Sequence, residues 1–84
     1  MELKLTTKRA LAYEQKTGTD VITKLESIAK EGSIKIKDVV DLFEAMGENY
    51  TVEMFDQWDK PFVEKANDIV NAILIYAQGT TAGK

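Results

Sequence analysis

The spacing of apolar residues predicts that this chain is built from helices. The longest apolar stripe lies near the C-terminus, where residues recur at the i, i+3, i+4, i+7 spacing of one helix face. Its members are Phe62, Val63, Ala66, Ile69, Val70, Ile73, Leu74 and Ala77. The stripe predicts a long helix over Pro61–Gln78, with Asp59 as its N-cap and Gly79 as its C-terminal cap. The polar positions predicted on its opposite face are Glu64, Lys65, Asp68 and Asn71.

The two ends of this helix carry further information. Pro61 suits the first turn, because its missing N–H would have no helical partner there. Ile75 and Tyr76 extend the apolar surface nearly all the way round the helix. We therefore expect the end of the helix to be covered, either by this chain or by another one.

The first helix is predicted over Thr7–Lys16. Either Thr6 or Thr7 can serve as its N-cap. Gly18 can end it in the left-handed conformation. Before it, Leu3 and Leu5 alternate with polar residues. This alternation indicates either a short extended arm that offers a docking edge or a lead-in whose leucines seal the core.

Two more helices are predicted in the middle of the chain. The second runs between Thr19, as its N-cap, and Gly32, which closes it. The third covers about Ile36–Met46, because its apolar residues follow the helical period. Its predicted inward positions are Ile36, Val39, Val40, Phe43 and Met46.

A turn over Gly47–Tyr50 leads to a fourth, short helix over Val52–Trp58, with Thr51 as its N-cap. Val52, Phe55 and Trp58 are predicted on one side of it. A helix of this length is not stable by itself, so it must pack against the remainder of the protein.

The predicted fold class is all-α, a compact bundle of four to five short helices with a possible extended N-terminal arm. The chain has 84 residues, which corresponds to one domain, predicted over residues 1–78 with a flexible tail of residues 79–84. The predicted connections are two to five residues long, which is typical of neighbouring helices in a small bundle.

The composition restricts the chemistry. The chain contains no cysteine and no histidine, which excludes a thiolate zinc site, a cysteine nucleophile and the usual general base near neutral pH. The longest apolar run, Ala72–Ala77, is too short to cross a membrane. The opening residues, Met1–Lys4, lack the apolar core of a signal peptide, so we expect a cytoplasmic protein without a membrane partner.

The charge is unevenly distributed along the chain. Residues 1–37 hold eight basic and five acidic residues, whereas residues 38–84 hold three basic and nine acidic ones. The asymmetry is typical of ordinary solvated faces, but it also suits an acidic surface for a basic partner or head-to-tail self-association. Helices joined at Gly18 or Gly32 would permit a helix-turn-helix DNA reader, yet the net charge of −3 argues against nucleic-acid binding.

Three carboxylates, spaced three apart on the third helix, are the nearest approach to a catalytic pair: Asp38, Asp41 and Glu44. General acid–base catalysis needs one carboxyl group with a raised pKa, which requires burial. These residues lie opposite the apolar stripe, so we expect them to be solvated. We therefore predict no catalytic residue, no cofactor and no metal site.

The aromatic and methionine residues around the fourth helix are the most informative cluster. Their helical spacing is typical of a packed core, but these residue types are also enriched at the centres of protein interfaces. We interpret six residues as candidate partner contacts: Leu3, Leu5, Met46, Tyr50, Phe55 and Trp58.

Three segments resemble one protein family. Leu3–Lys8 reads L-K-L-T-T-K, Glu14–Gly18 reads E-Q-K-T-G, and Asp38–Met46 is an aspartate-led apolar helix. Together they resemble tail assembly chaperones from siphophages and prophages of Gram-positive bacteria. The resemblance covers about residues 3–78, although Val63–Tyr76 is more apolar than the corresponding part of that family.

The resemblance implies a non-enzymatic cytoplasmic chaperone. Such a protein would bind the long helical tape measure protein and assist the tail tube protein in polymerising around it. Members of the family are often made in a short form and a longer frameshifted form. The alternatives are a small DNA-binding regulator and a structural adaptor protein. Whichever function applies, we expect a homo-oligomer, because a protein with so small a core is stabilised by association.

Overall fold

Five helices follow one another along the chain, and the described residues contain no strand. The computed structural model describes residues 2–32 and 34–82, with residues 79–82 as backbone only. The helices are α1 (Thr7–Thr17), α2 (Val21–Glu31), α3 (Ile36–Glu44), α4 (Val52–Gln57) and α5 (Phe62–Ala82). The predicted all-α bundle is confirmed.

Local capping chemistry explains half of the helix ends. The Thr6 side chain accepts a hydrogen bond from the Arg9 N–H at the start of α1, and Thr51 accepts one from the Met54 N–H at the start of α4. Gly18 and Gly32 follow α1 and α2 with φ angles of 80° and 73°, in the left-handed region that glycine adopts without steric cost. These four predicted caps are confirmed.

The N-cap of α2 is Asp20, so the prediction of Thr19 was wrong. The Asp20 carboxylate accepts hydrogen bonds from the N–H groups of Ile22, at 3.1 Å, and Thr23, at 3.4 Å. The Thr17 hydroxyl instead donates a hydrogen bond to the Thr19 carbonyl and accepts one from the Thr19 N–H. The turn after α1 is therefore one residue longer than predicted, and α2 starts one residue later than predicted. Hydrogen bonds from the Thr23 hydroxyl and the Ile22 N–H hold the pKa of Asp20 below its ordinary value.

The core is centred on α3, where Val39, Leu42 and Phe43 are almost completely buried. The Phe43 ring stacks on Tyr50 at a centroid distance of 4.9 Å, meets Phe55 edge-on at 5.3 Å and stacks on Trp58 at 5.8 Å. Aromatic pairs in these geometries contribute free energy beyond the burial of their area. Phe43 thus joins α3, the following turn and α4 into one unit.

Two predicted inward positions are exposed. Ile36 is 68% exposed and Val52 is 54% exposed, so both predictions were wrong. Both residues are in phase with buried ones in the same helix, but each is the first residue of its helix. The bundle covers only the later turns. α3 also ends at Glu44, two residues before the predicted end at Met46.

The buried face of α5 is narrower than predicted and is shifted round the helix. Val63 is 66% exposed and Leu74 is 41% exposed, whereas Lys65, predicted outward, is 7% exposed. The buried stripe is centred on Ile69 and Ile73, and a rotation of about 100° per residue places Val63 and Leu74 well away from that centre. These three predictions were wrong because neighbouring helices, not apolar character, decide which side is covered.

The ends of α5 also differ from the prediction. The helix begins at Phe62, directly after Pro61, and continues through Gly79 to Ala82, so neither Asp59 nor Gly79 is its cap. The Lys65 N–H bonds to the Pro61 carbonyl. The division into a domain of residues 1–78 and a flexible tail stays a prediction, and residues 83–84 lie outside the described residues.

Phe43→Ala should destabilise the protein by about 3–5 kcal/mol, because a buried ring is replaced by a cavity. The free energy of unfolding, measured by urea titration with circular dichroism, tests this expectation. Val63→Ala is the matched control and should change it by less than about 0.5 kcal/mol, as for other surface substitutions. Equal losses for the two variants would contradict this arrangement of the core.

Asp20→Ala should destabilise the protein by about 1 kcal/mol near neutral pH, whereas Thr19→Ala should have little effect. Because the pKa of Asp20 is lowered on folding, its contribution is complete above the ordinary value of 3.8 and is lost as the pH falls through the lower folded value. Urea titrations over this pH range measure both effects. A larger loss for Thr19→Ala would identify Thr19 as the cap.

Candidate functional site

The six candidate contact residues divide into two groups. Leu5, Met46 and Phe55 are 4%, 1% and 7% exposed, so they form part of the core and offer almost no surface to a partner in this conformation. The other three are half-buried and border the core: Leu3, Tyr50 and Trp58. Only this second group can contribute directly to a binding surface.

The N-terminal segment, residues 2–6, lies against the bundle without forming helix or strand. The Tyr50 hydroxyl donates to the Glu2 carbonyl. The Arg9 guanidinium donates through Nη1 to the carbonyls of Lys4 and Met46, at 2.9 Å each. Leu5 is buried between these attachments, which confirms the interpretation that the lead-in helps to seal the core.

Leu3 and Trp58 line a groove of about 370 Å³, which we call the Trp58 groove. Its complete lining consists of Leu3, Trp58, Lys60, Asp68, Asn71, Ala72 and Ile75. Ile75 is 69% exposed, which is high for a large apolar side chain. The groove therefore brings together the N-terminal segment, the end of α4 and one side of α5.

One rim of the Trp58 groove is an ion pair. The Lys60 ammonium group lies 2.7 Å from an Asp68 carboxylate oxygen and 5.9 Å from the centroid of the Trp58 ring. The hydrogen bond to Asp68 raises the pKa of Lys60 above its ordinary value. Asp68 is the one carboxylate in the lining, and this bond already engages it. Apolar side chains beside a polar rim are typical of a surface that binds another protein.

A second depression, of about 360 Å³, lies between α1 and the turn after α3. Its lining includes Lys8, Arg9, Glu44 and Glu48. Lys8 and Glu48 approach to 4.0 Å, and Arg9 is engaged by two backbone carbonyls. Glu44 is paired with Lys16, so all four charged groups already have partners and this depression is a weaker candidate than the Trp58 groove.

The carboxylates of α3 form ion pairs with lysines. Asp38 lies 3.4 Å from Lys24, Asp41 lies 2.8 Å from Lys37, and Glu44 lies 3.1 Å from Lys16. The same pairs use three of the basic side chains that a nucleic-acid surface would need. Among the described residues, no cluster of three or more acidic side chains is arranged to hold a metal ion.

Lys65 is a buried charged residue that periodicity placed on the wrong face. Its Nζ donates to the Phe55 carbonyl at 2.6 Å and lies 4.5 Å from the centroid of the Phe55 ring. The ammonium group thus satisfies a carbonyl near the end of α4 and interacts with an aromatic face. Phe62 lies three residues before Lys65, and this spacing is a sequence signal that Lys65 lies at the edge of the apolar stripe. No signal in the sequence identifies the Phe55 carbonyl as its partner.

Comparisons with protein-family models, with curated proteins and with solved structures find no match to this chain. In the part of the chain that the structure describes, no helix has both the length and the apolar character needed to cross a membrane. The functional argument therefore depends on the geometry of the Trp58 groove and on the resemblance of the three sequence segments described above.

Lys65→Met should destabilise the protein by about 1–2 kcal/mol, because the Phe55 carbonyl loses a charged donor while the aliphatic packing is kept. Lys60→Met, in which the lost ion pair lies at the surface, should have a much smaller effect. Chemical denaturation of both variants measures the difference. If Lys60→Met were the more damaging change, the buried hydrogen bond would not be the stronger contact.

Proposed function

We propose that the protein is a non-enzymatic tail assembly chaperone that acts in the cytoplasm of a bacterial host. In this proposal it binds an apolar, helical segment of a tape measure protein and assists the tail tube protein in assembling around it. It needs no cofactor, and neither nucleic acid nor a membrane is a partner.

The observation that carries the proposal is the composition of the Trp58 groove. Leu3 and Trp58, two residues singled out as contacts from the sequence, line one groove with the exposed side chain of Ile75. Leu3 belongs to the L-x-L-T-T-K segment on which the family resemblance depends. The segment that resembles the family thus contributes to the surface best suited to a partner.

The shape and chemistry of the groove favour an amphipathic helix as the ligand. An apolar side chain of such a helix can pack between Leu3, Trp58 and Ile75, as the anchors of a helix do in a hydrophobic groove. The Asn71 amide, exposed on α5, is available to hydrogen-bond a polar residue beside that anchor. Tryptophan is one of the residue types that contribute most to the binding free energy at such interfaces.

A DNA-binding regulator is less well supported. Lys16, Lys24 and Lys37 are engaged by carboxylates of α3, so they do not form a free basic stripe on one helix. A structural adaptor would use the same groove. It would differ in remaining in finished virus particles, whereas an assembly chaperone would be absent from them.

The first experiment is to capture partners from host cells that carry the phage. The tagged chain is expressed during infection or prophage induction, and retained proteins are identified by mass spectrometry. Recovery of a very long, helix-rich phage protein or of the tube subunit supports the proposal. Recovery of DNA regulators, or of this chain alone, overturns it.

Ile75→Asp should weaken binding of the captured segment by about tenfold or more, because it places a charge at the centre of the apolar surface. Val63→Asp is the matched control, since Val63 lies on the same helix with a similar exposure of 66% but outside the groove. Fluorescence of Trp58, the only tryptophan, reports binding in both variants. Equal affinities for the two variants would place the ligand elsewhere.

A further inference from the structure

Residues 2–5, which we call the strap, lie against the bundle with alternate side chains directed inward. Leu5 is 4% exposed and Leu3 is half-buried against the core, whereas Glu2 and Lys4 are exposed. Side chains two positions apart lie on one side of an extended chain, so both leucines face the bundle. The strap thus places one leucine in the core and the other in the lining of the Trp58 groove.

Two side chains of the bundle hold the strap by its backbone carbonyls. The Tyr50 hydroxyl donates to the Glu2 carbonyl, and Arg9 Nη1 donates to the Lys4 carbonyl at 2.9 Å. Both bonds lie at the exposed surface, where water can replace them. Arg9 Nη1 also donates to the Met46 carbonyl at 2.9 Å, so the guanidinium keeps an acceptor when the strap leaves.

The strap is otherwise independent of the helices. Among the described residues, none of the backbone–backbone hydrogen bonds outside the helices involves residues 2–5. Thr6 caps α1, so the helix keeps its cap when the strap detaches. A segment that is held by one buried side chain and by exposed hydrogen bonds opens at a lower free energy than the core helices unfold.

Detachment of the strap changes the Trp58 groove. Leu3 leaves the lining of the groove, and Leu5, two residues along the same side of the strap, leaves the core. Because residues two apart in an extended chain are separated by about 6–7 Å, the two vacated apolar positions form a continuation of the groove. In the closed form the strap therefore fills positions that further apolar anchors of a ligand helix would take.

We propose that the strap is an autoinhibitory element of the Trp58 groove. It opens as a unit while α1–α5 stay folded, and the open form offers an amphipathic helix a longer apolar surface than the closed groove of about 370 Å³. A ligand that uses the added surface shifts the population toward the open form. This effect on the ligand rests on the proposed function, whereas the opening itself rests only on the contacts of the strap.

Limited proteolysis of the full chain with trypsin measures the opening. Trypsin cleaves after lysine, and the Lys4–Leu5 bond can enter its active site only when Leu5 has left the core. Lys65, which is 7% exposed within α5, provides the reference, because cleavage after it requires the bundle to unfold. Mass spectrometry should show the loss of residues 1–4 well before cleavage after Lys65.

Variants of the two attachments should accelerate cleavage after Lys4. Tyr50→Phe removes the hydroxyl contact but keeps the ring that stacks on Phe43, and it should raise the rate about fivefold. Arg9→Met removes a charged donor and should raise the rate about tenfold or more. The rate follows the population of the open form where the strap opens and closes faster than trypsin cleaves.

Lys8→Met is the matched control. Lys8 is next to Arg9, but its one ion pair among the described residues is a surface contact with Glu48 at 4.0 Å, away from the strap. This variant should be cleaved after Lys4 at the rate of the wild type.

The dye 1-anilinonaphthalene-8-sulfonate reports the apolar surface of the open form. Its fluorescence should rise in Tyr50→Phe and Arg9→Met while circular dichroism stays the same. Cleavage after Lys4 that occurs only together with cleavage after Lys65 would overturn the inference. Rates or dye fluorescence that both variants leave unchanged would also overturn it. Because neither readout uses a partner protein, failure of the capture experiment would overturn the proposed function and leave these results in place.

Discussion

The packing of Phe43 is the interaction on which the rest of the structure depends. Its ring is completely buried and contacts the rings of Tyr50, Phe55 and Trp58. α4 has six residues, too few for a helix to persist in water without tertiary contacts. Its contacts with Phe43, and that of Phe55 with Phe62 at the start of α5, hold it in place. Trp58 is consequently half-buried, with Phe43 against its ring and the groove beside it.

The same cluster also holds the N-terminal segment. Tyr50 stacks on Phe43 and donates its hydroxyl hydrogen to the Glu2 carbonyl. Gly47 makes this position possible, because a β-carbon there would lie 2.8 Å from the Tyr50 ring. With Glu2 attached and Leu5 buried, Leu3 is held at the edge of the groove. A binding surface composed of residues far apart in sequence thus follows from one set of aromatic contacts.

Helix existence and most caps could be predicted from the sequence because both are local properties. The period of apolar residues specifies a helix, and the side chain of Thr6 or the backbone freedom of Gly18 determines where it begins or ends. The exposure of Ile36 and the burial of Lys65 could not be predicted in this way. Each depends on which neighbouring helix happens to cover the position, and the Phe55 carbonyl that accepts from Lys65 comes from another element.

The candidate site shows the same limit. Leu3 and Trp58 could be selected as contacts by residue type, but Met46 and Phe55 share that type and are buried. What distinguishes them is the path of α5, which brings Ala72 and Ile75 to the side of Trp58. The distribution of charge is likewise decided by packing. α1 and α2 use Lys16 and Lys24 to bind carboxylates of α3, so which charges remain unpaired depends on how the helices pack.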